Sequence, residues 1–219
     1  MEAADLLVGY QVYLDLIKEY FPEKEMYSTP MTKEIERCTY ALEEANKGKT
    51  VAMLSSGDAG VYGMAGLILE LAQDYPAVEV EIIPGITAAL SGAALLGAPL
   101  MSDFVVMSLS DLLTPWELIE KRLHGAGSGD FPLMIYNPGS KKRVDHLRRA
   151  CEILLQYRSP DTWCALLRQI GREEETVKLL SLGELRDTKV DMFTTVYIGA
   201  PNTKRLGHHL VTPRGYENK

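Results

Sequence analysis

The chain has 219 residues, of which 46% are apolar and 24% charged. This composition excludes disordered, collagen-like and coiled-coil proteins, and the length suits one large domain or two small ones. The formal net charge of −7 opposes general attraction to nucleic acid or anionic lipid. No long uninterrupted apolar stretch occurs, and the first ten residues lack the basic and apolar regions of a signal peptide. We therefore expect no membrane span, no membrane partner and no secretion.

Cysteine and histidine placement argues against a metal site. Cys38, Cys151 and Cys164 lie far apart within apolar patterns and form no C-x-x-C, so we expect buried thiols in a reducing cytoplasm. The four histidines show neither H-x-x-x-H nor H-E-x-x-H spacing, and there is no G-x-S-x-G nucleophile elbow. We predict no bound metal and no acyl-transfer chemistry.

Helical and strand patterns alternate along the chain. In chain order they predict helices over 12–20 and from 32 to 47, a strand over 50–56, a helix over 63–74, a strand over 78–83, a helix over 87–96, a strand over 103–109, a helix over 115–123, a glycine-rich loop over 125–129, a strand over 132–137, a helix over 143–157, and strands over 162–167, 175–182 and 193–198. The alternation favours parallel pairing, whereas the last three strands lie close enough in sequence to pair antiparallel. We expect two α/β domains, 1–110 and 111–219.

Three strand ends carry the informative motifs. The first is SSGDAGVYGMAG, residues 55–66, where glycines allow a ligand to approach the main chain and the amides at the start of a helix favour an electronegative group. Its spacing differs from the dinucleotide fingerprint G-x-G-x-x-G. An ordinary strand-to-helix turn is an equally good interpretation. The nearby GKT, residues 48–50, precedes its strand and lacks the first glycine of a P-loop, so we predict no P-loop.

The second strand end is IIPGITAALSGAALLGAP, residues 82–99. Pro84 and Gly85 force a turn, and Thr87 is placed to cap the next helix. Gly92 within that helix costs about 1 kcal/mol relative to alanine, which indicates that something approaches this face closely. Tight packing of the helix on a sheet and contact with a cofactor or partner subunit are both open.

The third is MIYNPGSKKR, residues 134–143, which places Lys141, Lys142 and Arg143 in the first turn of the predicted helix. Cations at this end oppose the helix dipole. In an acidic chain their clustering indicates an anionic ligand, although a solvated charge run is equally consistent with the pattern.

Together the three strand ends resemble the tetrapyrrole methyltransferases, which use S-adenosylmethionine. Family members carry G-D-x-x-x-Y-G and P-G-x-T/S-x-A, which correspond to residues 57–63 and 84–89. The resemblance extends to the precorrin-3B and cobalt-precorrin-3B C17-methyltransferase branch of cobalamin (vitamin B12) biosynthesis, through segments spread over nearly the whole chain: MTKEIERC, SSGDAGVYGMAG, SLSDLLTPWE, YNPGSKKR, DMFTTVYIG and VTPRGY.

The resemblance implies a two-domain tetrapyrrole methylase fold with the methyl donor in a cleft between the domains, and a cytoplasmic homodimer. It implies C-methylation of a precorrin-3B-type ring at C17 with ring contraction. The carboxylates of that ring would be bound by Lys141, Lys142 and Arg143, with Arg168 and Arg172 as further candidates. The donor contacts implied by position are Ser56, Gly57, Asp58, Val61, Thr87, Ala88, Asn137, Ile170, Thr194 and Thr195.

One departure bears on activity. The family opens with a strand and a G-x-G-P-G loop, whereas this sequence begins near the end of the following helix, with DLLVGY as the second strand. We therefore expect the first strand to be missing from the N-terminal domain. Alternatives are a sister methyltransferase acting at another ring position or on a protein, and a non-catalytic dimeric protein that retains the donor site. The sequence leaves open whether the substrate holds cobalt and which residue moves protons during contraction.

Overall fold

The computed structural model describes residues 1–216 and divides the chain into two compact units, Met1–Thr87 and Ala88–Lys219. The change of unit lies earlier in the chain than the predicted boundary between residues 110 and 111. The helix that starts the second unit packs on Met134, Ala165 and Tyr197, which is why it groups with the later strands. Within the described part of the chain, no helix combines the length and apolarity needed to cross a bilayer.

The first unit is a three-stranded parallel sheet with helices between its strands. Its elements are β1 (Leu6–Tyr10), α1 (Gln11–Asp15), β2 (Glu25–Thr29), α2 (Glu34–Asn46), β3 (Val51–Leu54) and α3 (Ala65–Leu71), followed by a short 3-10 helix, Ala72–Asp74. The strand order is β2-β1-β3, with both pairs parallel. Leu6 and Val8 pack into one apolar cluster with Cys38 and Leu42. Leu7 packs into a second cluster, so the central strand is buried on both faces.

The predicted strand over 78–83 is absent, and residues 78–87 form no helix or strand. Val78 and Val80 pack against the cluster that contains Leu6 and Cys38, which accounts for the alternating pattern. Alternation records which side of an extended segment is buried, but a strand also needs a neighbouring strand to accept and donate its ladder hydrogen bonds. The prediction of a strand here was wrong because no described strand pairs with this segment.

The second unit contains the remaining elements. They are α4 (Ala88–Leu96), β4 (Gly97–Ala98), β5 (Val105–Ser108), α5 (Trp116–Ser128), β6 (Leu133–Tyr136), α6 (His146–Leu154), β7 (Trp163–Arg168), β8 (Thr176–Ser181), α7 (Leu182–Arg186), β9 (Thr194–Ile198), β10 (Lys204–Leu206) and β11 (His209–Val211). Five strands form a sheet in the order β5-β6-β9-β7-β8, and β10-β11-β4 form a smaller one. β5 and β6 are parallel, whereas β7 pairs antiparallel with both β8 and β9, as the sequence predicted.

Alternate residues of the five-stranded sheet face two different cores. Leu133 and Ile135 of β6 lie in a cluster with α5 and α6, while Met134 lies in another with α4. Helices therefore cover both faces, and the middle strands read as continuous apolar runs instead of alternating ones.

Three helix ends differ from the predictions for this unit, and one of them is the end of α6, which lies at Leu154 instead of Tyr157. The glycine-rich segment 125–129 was predicted to be a loop, but α5 continues to Ser128. A side chain at Gly127 would lie 2.5 Å from the Tyr157 ring, so glycine serves helix packing there. The helix predicted from Arg143 begins at His146, because residues 140–143 form a turn in which Ser140 Oγ accepts from the Lys142 and Arg143 amides.

Candidate active site

In the first unit, Asp58 joins two glycine turns. Its Oδ1 accepts a hydrogen bond from the Gly60 amide at 2.8 Å, and its Oδ2 accepts from the Gly85 amide at 3.0 Å. The hydrogen bonds from Gly85 and Gly60 hold the pKa of the Asp58 carboxyl below its ordinary value, because they stabilise the charged form. The loop after β3 and the turn at Pro84–Gly85 are thereby fastened to each other by a carboxylate.

The two turns also approach closely through their main chains. A side chain at Gly85 would overlap the Gly57 carbonyl oxygen, so only glycine allows this approach. Gly57 itself adopts a φ of 75°, a region that residues with a Cβ seldom occupy. Both glycines singled out by the sequence motifs are therefore required by the geometry of the loop pair.

The predicted donor contacts in this unit lie on or next to that loop pair. Ser56 and Gly57 are exposed, while Asp58, Val61 and Thr87 are partly buried. The Ser55 hydroxyl accepts from the Met64 amide at 3.3 Å, which closes the loop onto the start of α3. The first unit thus presents an open main-chain surface at the carboxyl end of β3, the edge of a parallel sheet at which ligands bind in open α/β folds.

In the second unit, one edge of the five-stranded sheet collects the other predicted contacts. Asn137 follows the end of β6, Ile170 follows the end of β7, and Thr194 begins β9. Because β9 runs antiparallel to β6 and β7, its first residue lies at the same edge as their last residues. Asn137 adopts a φ of 52° and donates from Nδ2 to Ser108 Oγ at 3.1 Å, which fixes its side chain beside the end of β5.

The start of α4 is held against this edge by two tyrosines. The Tyr136 hydroxyl accepts from the Ala89 amide at 2.7 Å, and the Tyr197 hydroxyl donates to the Ala88 and Ala89 carbonyls. Burial raises the pKa of Tyr197, so its hydroxyl keeps the proton it donates. Ala88 and Ala89, which begin α4, are therefore tied to the sheet through β6 and β9.

Gly92 marks the same contact further along α4. A side chain there would overlap the Tyr197 hydroxyl and lie 2.9 Å from Ile170 Cδ1. Of the two interpretations that the sequence left open, tight packing of helix on sheet accounts for this glycine.

Thr194 and Thr195 are buried at the start of β9. Thr194 Oγ1 donates to Asp191 Oδ1 at 2.8 Å, and Arg168 Nε donates to Asp191 Oδ2 at 2.9 Å. Burial alone would raise the pKa of Asp191, but the hydrogen bonds from Arg168 and Thr194 keep it below its ordinary value. Arg168, suggested as a substrate cation, is thus paired with a carboxylate of its own unit.

The predicted substrate cations lie in the loop before α6. Lys141 and Lys142 are exposed, whereas Arg143 is partly buried and contributes positive charge near Asp111. The placement of these three residues in a helical first turn was wrong, since α6 begins three residues after Arg143. The three cations nevertheless lie together on one loop of the second unit.

Sequence reasoning missed Tyr136, Tyr197 and Asp191, which organise the sheet edge without belonging to a motif. Asp191 had a local signal, because a side chain that accepts from the amide two residues on, here Phe193 at 3.0 Å, is a common turn device of aspartate. The tyrosines had none, since their partners lie far away in the chain.

Two other sequence expectations can be followed in the structure. Cys38, Cys151 and Cys164 are free and buried, as predicted, and burial raises the pKa of Cys38 to about 11. Lys47 and Lys49, which flank Gly48 of the GKT sequence, are both ion-paired with Glu44. Among residues 1–216 no cluster of three or more histidine, cysteine or acidic side chains has a metal-binding arrangement.

A separate open groove of about 610 Å³ lies in the second unit. It is lined by Met101, Ser102, Asp103, Asn202, Pro213, Arg214 and Gly215. None of these is a predicted site residue, and the main-chain surfaces described above lie elsewhere.

Comparison with known proteins agrees with this architecture. The family model for tetrapyrrole (corrin/porphyrin) methylases matches residues 1–186. The chain belongs to this family. It is therefore a methyltransferase with the tetrapyrrole methylase fold, as the sequence predicted.

Individual relatives are similar over nearly the whole chain. A probable cobalt-factor III C(17)-methyltransferase of Salmonella typhimurium is 46% identical over 217 residues, covering 99% of this chain and 90% of that protein. One of the same printed name from Methanocaldococcus jannaschii is 41% identical, covering 100% and 90%. The crystal structure of the methyltransferase CobJ superposes with a TM-score of 0.87 at 37% identity, covering 96% of this chain and 89% of that one.

Proposed function

We propose that this protein transfers the methyl group of S-adenosylmethionine to C17 of a precorrin-3B-type tetrapyrrole, with contraction of the ring, in cobalamin biosynthesis. The observation that carries the proposal is the 46% identity to a protein named as a cobalt-factor III C(17)-methyltransferase, which extends over 217 residues of this chain. Similarity over the whole chain includes both units, so it takes in all the strand-end loops to which the donor and the substrate are assigned.

The donor contacts proposed from the family motifs fit what each unit presents. Gly57 is exposed and adopts a φ of 75°, so its main chain is accessible, and a glycine there permits close approach of a nucleoside or a methionine moiety. In the first unit we assign Ser56, Gly57, Asp58, Val61 and Thr87 to the donor. In the second we assign Ala88, Asn137, Ile170, Thr194 and Thr195.

The donor, when bound, supplies an activated methyl on a positively charged sulfur. The chain's own task is then to hold the acceptor carbon in line with that methyl, since orientation alone lowers such barriers by several kcal/mol. Asp58 keeps the two glycine turns in register, and its low pKa keeps the carboxylate ionised at neutral pH. We assign Lys141, Lys142 and Arg143 to the carboxylates of the tetrapyrrole.

The decisive experiment is mass spectrometry of the product formed with S-adenosylmethionine and either metal-free or cobalt-loaded precorrin-3B-type substrate. We expect a mass gain of one methyl group, with NMR placing it at C17. Methylation at another carbon would indicate the sister activity, and donor binding without turnover would indicate the non-catalytic alternative. The comparison of the two substrates decides which metal state the enzyme uses.

Two variants separate donor binding from substrate binding. Gly57→Val should abolish donor binding in a folded protein, because the φ of 75° is unfavourable for valine and the added side chain fills the turn. Charge reversal of Lys141 and Lys142 should weaken tetrapyrrole binding and leave donor affinity nearly unchanged. Calorimetry with S-adenosylmethionine measures donor affinity in both variants, and a titration with the tetrapyrrole measures substrate binding. Unchanged donor affinity in the Gly57→Val variant would contradict the donor placement.

We further propose a homodimer working in the cytoplasm. The reducing compartment is supported by three free, buried cysteines, and the homodimer by the family resemblance. Light scattering at several concentrations tests the oligomeric state.

A further inference from the structure

Two loops at the same edge of the second unit are fastened to each other at two points. The loop after β5 spans residues 109–115, and the loop after β6 spans residues 137–145. At their base, Asn137 Nδ2 donates to Ser108 Oγ at 3.1 Å. Farther out, His146 Nε2 lies 3.0 Å from Asp111 Oδ2. The second contact joins Asp111 of the first loop to the first residue of α6, which follows the second loop.

His146 is itself held in place. Its side chain is only 13% exposed, and its ring packs edge to face on Trp116 at 5.0 Å. The Arg149 guanidinium covers Trp116 at 3.9 Å. The close contact with His146 lowers the pKa of Asp111, and the positive charge of Arg143 acts in the same direction. His146, at the start of α6, therefore holds Asp111, which lies on the more exposed of the two loops.

Between these fastenings, the two loops present apolar side chains and cations to the outside. Leu112 is 72% exposed, Leu113 is 93% exposed and Val144 is 76% exposed. Lys141 and Lys142 are exposed on the same loop as Val144. Large exposed apolar side chains on loops that also carry two exposed cations are typical of a binding surface. They fit a ligand with an apolar face and an anionic rim.

We infer that His146 and Asp111 are positioning residues that hold these two loops as a contact surface for the tetrapyrrole. The inference rests on the proposed function and extends it. A tetrapyrrole offers flat apolar faces to Leu112, Leu113 and Val144, and its peripheral carboxylates complement Lys141 and Lys142. Two lysines beside each other in sequence complement the closely spaced carboxylates of one small ligand, which is why we commit to this occupant.

Three variants test the pair. His146→Phe keeps an aromatic ring against Trp116 but has no polar atom to place against Asp111, whereas His146→Gln retains a polar group at that position. His124→Phe is the matched control, because His124 lies in α5 and contacts Tyr157 away from both loops. For each variant, hydrogen exchange over residues 109–115 is measured without substrate, along with the tetrapyrrole KM and the donor Kd.

We expect His146→Phe to speed exchange of the loop amides and to raise the tetrapyrrole KM about tenfold, because the polar contact that holds Asp111 is lost. Donor affinity should stay unchanged, and His146→Gln should restore most of the KM. Unchanged exchange in His146→Phe would refute the fastening. Faster exchange with an unchanged KM would refute the substrate contact.

A fourth variant, Leu113→Ser, separates the surface from the fastening. It should raise the tetrapyrrole KM and leave exchange as in the wild type. A change of oligomeric state in place of a change in KM would assign the surface to contact between copies and overturn the inference. If the wild-type protein methylates no tetrapyrrole, the proposed function fails, whereas the exchange result still decides whether His146 and Asp111 hold the loops.

Discussion

Asp58 and Gly85 lie 27 residues apart in sequence and are joined by a hydrogen bond of 3.0 Å from the Gly85 amide to Asp58 Oδ2. The same carboxylate accepts from the Gly60 amide. A single side chain therefore sets the separation of the two glycine turns assigned to the donor. The Asp58 carboxylate therefore holds the main chain of the two turns in place, and this role requires no proton transfer.

We expect Asp58→Ala to weaken S-adenosylmethionine binding at least several-fold, because both turns lose their shared acceptor. Asp58→Asn should retain part of the affinity, since one amide oxygen still accepts while the amino group faces the other N–H. Calorimetry measures both variants. Asp74→Ala, an exposed aspartate of the same unit, is the control; equal losses in the two alanine variants would contradict the role of Asp58.

The stabilising effect of Asp58 should depend on pH in a defined direction. Its folded pKa lies below the ordinary value of 3.8, so the contribution is present above 3.8 and is lost as the pH falls through the lower folded value. The difference in thermal midpoint between the wild type and Asp58→Asn should therefore stay constant from pH 7 to about 5 and shrink below about 4. A difference in thermal midpoint that grows as the pH falls would indicate that folding raises the pKa of Asp58 instead of lowering it.

Gly85→Ala should abolish or strongly weaken donor binding, because the added methyl overlaps the Gly57 carbonyl. Overpacking of this kind costs about 1–3 kcal/mol and displaces main chain. Gly66→Ala is a matched control, since a side chain there meets no atom within 4 Å. It should leave affinity unchanged and leave stability unchanged or slightly higher. Calorimetry and thermal melting are the measurements, and wild-type affinity in Gly85→Ala would refute the close approach.

Arg158 should be among the more sensitive positions of the second unit. Its buried guanidinium donates to the Gly199, Ala126 and Phe131 carbonyls. Arg158→Met would leave these buried acceptors without their donor, at a cost of at least about 3 kcal/mol. Urea denaturation measures this loss in the free energy of unfolding. Arg186→Met, which removes an exposed ion pair with Asp187, should change the midpoint little; similar losses in both variants would contradict this account.

Much of the local structure could be predicted because its causes are local. The strand-turn-helix joint at residues 55–66 follows from an apolar run, glycines and a helical period within twelve positions. The antiparallel β7–β8 pair follows from a short connection. The end of α5 and the start of α6 were misplaced because contacts with Tyr157 and the Ser140 turn decide them, and propensity alone does not record such contacts.

The sequence alone determined which kinds of groups are available: glycine turns, a loop carboxylate, buried thiols and a cationic loop. Only the folded chain decided which of them meet, as Asp58 does with Gly85 and Asp111 with His146. The reason is the range of the forces involved. Backbone preferences act over a few residues, whereas a hydrogen bond between distant segments depends on how whole strands and helices pack.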